Sequence, residues 1–173
     1  MIKAFTLRSI DDFRFILALG ELDRLSLEEL QDICSENTDE PLVSQLHSYL
    51  IEVDSVYVDF KALLRKISDE LQVSYPEKLN ALKIAGCYLA TQILKNEIDP
   101  YEGACAIQSL PNASDHDSIL FGFWLVLDQI HDSLEFSQKL VGDPFNKDKW
   151  AEMENWIKEE SQKFVNEFGV SIT

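Results

Sequence analysis

Apolar residues recur along most of this chain at steps of three and four, the spacing that puts them on one side of an α-helix. The clearest case is Lys78 to Leu110. Leu79, Leu82, Ala85, Tyr88, Leu89, Ile93 and Leu94 leave only a narrow polar stripe of Asn80, Lys83, Thr91 and Lys95, so this helix should be enclosed on most of its circumference. A break follows at Asn96 to Glu102. Asp99 there is placed to cap the next helix, Pro100 suits its first position, and Glu102 stands where a capping box takes a carboxylate. Gly103 then permits close packing just inside the second helix.

The same reading extends to both ends. Met1 to Leu7 alternates loosely and reads as a short extended stretch. Ser9 with Asp12 is a capping-box signal for a helix with Ile10, Phe13, Ile16, Leu17 and Leu19 inward, and Gly20 is the expected stop. Ser26 with Glu29 repeats the start signal for a helix striped by Leu27, Leu30, Ile33 and Cys34, ended by Asn37. Thr38 to Pro41 opens a third helix with Leu42, Leu46, Tyr49, Leu50 and Val53 on one face. Val56 to Phe60 has strand-like composition, yet its continuation into Leu63, Leu64, Ile67 and Leu71 favours one long helix, kinked near Asp54.

Beyond Leu110, residues 111 to 116 read as a surface loop. Ile119 to Leu127 is apolar at nearly every position and is expected to be buried on more than one side. A buried strand competes there, but the spacing carried on to Ile130, Leu134 and Phe136 favours a helix, ended at Gly142 to Pro144. Lys149 to Phe168 forms the last helix, with Met153, Trp156, Ile157, Ser161, Phe164 and Phe168 inward. No repeat or linker interrupts the chain. The expected architecture is all-α, an irregular bundle of six to eight helices in a single domain spanning residues 1–173.

Composition narrows the function classes. The 173 residues are 46% hydrophobic, enough for a sizeable core. Thirty-one acidic residues against 15 basic ones give a net charge of −16, a field that repels nucleic-acid phosphates, so no nucleic-acid partner is expected. Cys34, Cys87 and Cys105 are odd in number and set in apolar helical patterns, which favours buried thiols and a reducing, cytoplasmic setting over a disulfide framework. Neither a signal peptide nor a membrane-spanning helix is expected, since no charge-poor run approaches the ~20 residues a span needs.

Candidate chemistry is sparse. Asp128-x-x-His131 is one near miss to the paired Glu-x-x-His units of di-metal bundles, and Asp115, His116 and Asp117 cluster at a helix start, where carboxylates are favoured by the dipole alone. No Gly-rich phosphate loop or nucleophile elbow exists, and no cofactor is implied. The strongest anomaly is electrostatic. From Glu21 to Asp54, ten acidic residues face one basic residue, Arg24, so 34 residues carry −9 of the total charge. Glu28, Asp32 and Glu36 stand at four-residue steps, where like charges cost a few tenths of a kcal/mol per pair. Such a stripe serves as a solvated face, or it docks a basic partner. Tyr49 and Tyr57 are candidate aromatic anchors beside it, unless the core takes them.

Leu89 to Leu110, LATQILKNEIDPYEGACAIQSL, resembles a pattern of small bacterial proteins in which an apolar helix runs into a Glu-Ile-Asp-Pro-Tyr-Glu-Gly block and then a short helix. Trp156 to Val165 is similar to the terminal helix of the same group. The pattern's basic residues and Trp after Gly103 are replaced here by Ala104 to Gln108. Some of these proteins look like immunity proteins of polymorphic toxin and contact-dependent growth inhibition systems, and the acidic helical character is similar to that of colicin-type immunity proteins. The resemblance implies no catalytic residues. It implies a non-enzymatic, monomeric antitoxin that masks a basic toxin domain, possible nucleases included. The contact residues expected are Asp23, Glu28, Glu29, Asp32, Glu36, Asp39 and Glu40. The alternatives are a metal- or carboxylate-dependent hydrolase using Asp115, His116, Asp117, Asp128 and His131, and a bacterial scaffold or adaptor.

Overall fold

In the computed structural model, the structure describes residues 7–36, 40–50, 59–111, 119–141 and 147–169. Among the described residues the chain is all-α, with eight helices and no strand. They are α1 (Ile10–Glu21), α2 (Leu27–Glu36), α3 (Pro41–Leu50), α4 (Phe60–Glu70), α5 (Lys78–Leu94), α6 (Pro100–Gln108), α7 (Phe121–Val141) and α8 (Lys147–Phe168). The contacts divide the chain into two compact units, Met1–Ile84 and Ala85–Thr173, with the boundary inside α5.

In the first unit α1 packs on α4, and α2 packs on α3. The capping box expected at α1 is present: the Asp12 backbone N–H donates to Ser9 Oγ at 3.2 Å and the Ser9 N–H donates back to Asp12 Oδ2 at 2.7 Å. The helix runs through Gly20 instead of stopping there, because Gly20 is the point where Leu64 and Phe60 of α4 press against its backbone. The stop is Asp23, at φ 55°. The Asp23 N–H donates to the Gly20 carbonyl and that of Arg24 to the Leu19 carbonyl, the paired bonds of a Schellman ending. Burial covers Phe13, Phe15, Ile16, Leu17, Ala18 and Leu19, more of the circumference than the expected stripe, whereas Ile10 is 43% exposed.

The Ser26–Glu29 capping box of α2 also forms, with bonds of 2.8 and 3.2 Å. Leu27, Leu30 and Cys34 are buried as expected, and Ile33 only half so. On α3 the buried face is Val43, Leu46 and Leu50, with Leu42 and Tyr49 half-buried. Gln31 of α2 ties the pair by donating to the Leu50 carbonyl at 3.2 Å. The expected long helix through Phe60 begins at Phe60, because Asp59 takes extended backbone and its carboxylate accepts the Ala62 N–H at 3.1 Å. Val53 and residues 56–58 lie outside the described residues, as do residues 1–6, Asn37 and 142–144.

In the second unit α7 packs on α8, and α6 packs on both. At Gly86 of α5 a side chain would meet the Phe164 ring at 2.8 Å and Leu120 at 3.0 Å. At Gly103 it would meet Ile93 at 2.6 Å and Ile98 at 2.7 Å, the close packing expected there. Asp99 Oδ1 accepts the Glu102 N–H at 3.0 Å and Pro100 opens α6, so that start is as expected. Two sequence expectations change. Leu79, in the first unit's part of α5, is 56% exposed, the inward positions there being Ala81 and Leu82. Ile119 to Leu127 enters a helix, but Leu120, Phe123 and Leu127 bury on one side only, while Leu125 is 47% exposed and Phe121 stacks on Trp124 at 5.7 Å with both half-exposed. On α8, Met153, Ile157, Ser161 and Phe164 are buried, and Trp156 and Phe168 half-buried.

Candidate functional site

The seven carboxylates expected to meet a partner divide by what the fold already asks of them. Glu28 and Asp32 are exposed, one turn apart on α2, and have no ion pair with another described residue. Glu29 is exposed, yet its Oε2 accepts the Ser26 N–H in the α2 cap. Asp23 is neutralised within the first unit: Lys61 Nζ lies 3.0 Å from its carboxylate and also donates to the Glu21 carbonyl at 2.8 Å. Glu40 is half-buried just before α3, with its carbonyl accepting the Ser44 N–H. Glu36 ends α2, its side chain lying outside the described residues, and Asp39 lies outside altogether.

Beside Lys61 a second cation is engaged. The Arg65 guanidinium stands 3.5 Å from Glu21 Oε2 and 4.9 Å over the Tyr75 ring. Glu21 Oε2 and the Tyr75 hydroxyl are buried without a well-formed hydrogen bond. Burial first, and the Glu21 charge second, push the Tyr75 phenol up to about 12. Tyr49, proposed as an anchor, is half-buried with its hydroxyl turned to Glu70 of α4, whose hydrogen bond raises it. Tyr57 lies outside the described residues.

The second unit contains a cluster that sequence spacing does not announce. The Tyr101 hydroxyl of α6 and His131 Nε2 of α7 are 2.9 Å apart, which of the two donates depending on the imidazole tautomer. The Tyr101 ring meets His131 edge-on at 6.2 Å and Trp150 of α8 edge-on at 6.1 Å. Tyr101 and Trp150 are half-exposed and His131 is exposed. Burial, then Cys105, raises the Tyr101 phenol, and burial raises the Cys105 thiol, opposed by the Tyr101 hydroxyl and reinforced by Asp99 and Glu102. Cys105 is half-buried, while Cys34 and Cys87 are buried and pushed up to about 11 by desolvation; all three are free thiols.

Of the residues suspected of hydrolytic chemistry, Asp128 and His131 are exposed on α7 and Asp115, His116 and Asp117 lie outside the described residues. Among the described residues no three His, Cys, Asp or Glu side chains are grouped to hold a metal, and no helix is long and apolar enough to cross a membrane. Asp128 and Asp132 line a shallow groove of about 700 Å³ with Leu125, Gln129, Ser133 and Lys149. Tyr101 and His131 are thirty residues apart, so no local motif could have paired them. No family model, curated protein or solved structure matches this chain.

Proposed function

We propose that this protein is an antitoxin-type immunity protein, a cytoplasmic, non-enzymatic chain that binds and masks a basic toxin domain, a nuclease among the candidates. The observation that carries the reading is the pair Glu28 and Asp32: exposed carboxylates one helical turn apart, with no ion pair among the described residues, in a stretch that carries −9 of the −16 total charge. Clustered acid of this kind steers a basic partner and pairs with its Lys and Arg side chains. It also opposes membranes of anionic lipid and nucleic acid as partners. Asp23 and Glu29 have work inside the fold, so they contribute less than Glu28 and Asp32. The resemblance of Leu89 to Leu110 to small bacterial proteins, some of which look like immunity proteins, points the same way.

The test is co-expression with the basic C-terminal domain of a toxin encoded next to this gene. Protection of growth, together with a complex whose affinity falls with salt, supports the reading. An adjacent toxin domain that is neither bound nor neutralised overturns it.

A further inference from the structure

The fold leaves one aromatic group half-open in an acidic setting, and it lies in the other unit from α2. Tyr101, His131 and Trp150 come from three helices and are held at right-angled edge contacts of 6.1 and 6.2 Å. The Tyr101–His131 bond fixes the middle ring. Exposed carboxylates lie close by on α6 and α7. Asp99 and Glu102 are near enough to Cys105, at the Tyr101 hydroxyl, to raise its thiol, and Asp128 precedes His131 by one turn of α7. Lys149 neighbours Trp150 along α8 and shares its groove with Asp128.

We infer that the Tyr101–His131–Trp150 cluster, with its rim of Asp99, Glu102 and Asp128, is a second contact surface that takes an arginine side chain of a basic protein partner. The chemistry selects arginine over lysine. A planar guanidinium stacks on an aromatic face while its N–H fork pairs with carboxylates, whereas an ammonium keeps a tighter hydration shell. Rings already locked by mutual contacts lose little freedom on binding, and Trp and Tyr in such a setting are the usual anchors of protein interfaces.

The probe is a blocked Gly-Arg-Gly-Arg-Gly peptide and its Lys counterpart, titrated into the full chain and followed by NMR of the indole and backbone N–H signals. An exposed cation–π contact corresponds to roughly a two- to fivefold preference for the arginine peptide, with the shift concentrated at Trp150. Trp150→Leu should abolish the preference while leaving the lysine affinity unchanged. Glu102→Gln with Asp128→Asn, both exposed and away from the core, should weaken both peptides and keeps the test valid if Trp150→Leu does not fold. Equal affinity of the two peptides in the parent chain overturns the inference. So does a response confined to the Glu28–Asp32 face, an outcome that leaves the proposed acidic docking surface standing.

Discussion

Asp23, Gln72 and Asn96 hold left-handed backbone, at φ 55°, 56° and 56°, and each closes a helix by the same pair of Schellman bonds. A side chain there carries a cost that glycine does not. The Gln72 side chain is exposed, so Gln72→Gly should stabilise the protein by about 0.5–1 kcal/mol, read as a shifted denaturation midpoint. Asp23→Gly should gain less, because it removes the Lys61 ion pair. Sequence reading placed the α1 stop at Gly20 because glycine usually fills this role; the fold uses that glycine for the Leu64 contact instead. The capping boxes at Ser9 and Ser26 and the Asp99 cap were legible, since a cap is a local bond between residues three apart. The Lys61–Asp23 and Tyr101–His131 pairs were not, being 38 and 30 residues apart.

Ionisation at this scale gives a signed expectation. Cys34 and Cys87 rise from 9.0 to about 11, and Tyr75 from 10.0 to about 12. Their protonated forms favour the folded state, so their contribution is complete below pH 9 and is lost as pH rises towards 12. Urea midpoints should fall across that window, and Tyr75→Phe should flatten the part above pH 10. Thiol labelling at pH 8 should reach half-buried Cys105 well before Cys34 or Cys87.

At the scale of elements, α7 shows where apolar composition misleads. Its first turns are apolar almost throughout, yet the neighbours α6 and α8 cover one side, holding Leu120, Phe123, Leu127 and Ile130. Composition reports how much apolar surface a helix carries, and only its neighbours decide which part is buried. Leu127→Ala should therefore cost about 2–5 kcal/mol, whereas Leu125→Lys two residues earlier should change stability by less than about 0.5 kcal/mol. On α5 the close approach is at Gly86, where the Phe164 ring lies 2.8 Å from any added side-chain carbon. Gly86→Ala should destabilise by about 1–3 kcal/mol through overpacking, measured by chemical denaturation.

For the whole molecule, the all-α class and most helix positions were legible because the apolar period of 3.6 repeats along most of the chain. The division at Ile84 and Ala85 left no mark in the sequence, since it falls inside the apolar stretch of α5. Charge is the whole-molecule property on which the proposed docking rests. The central claim is that the acidic face of α2 docks a basic partner, and its most direct measurement is affinity for the basic toxin domain at low and high salt. Parent protein is compared with a chain carrying Glu28→Lys, Asp32→Lys and Glu36→Lys. The parent's affinity should fall with salt, and the reversed protein should lose at least about tenfold in affinity, because like charges then face each other across the contact. Unchanged affinity and unchanged salt dependence in the reversed protein would contradict the claim.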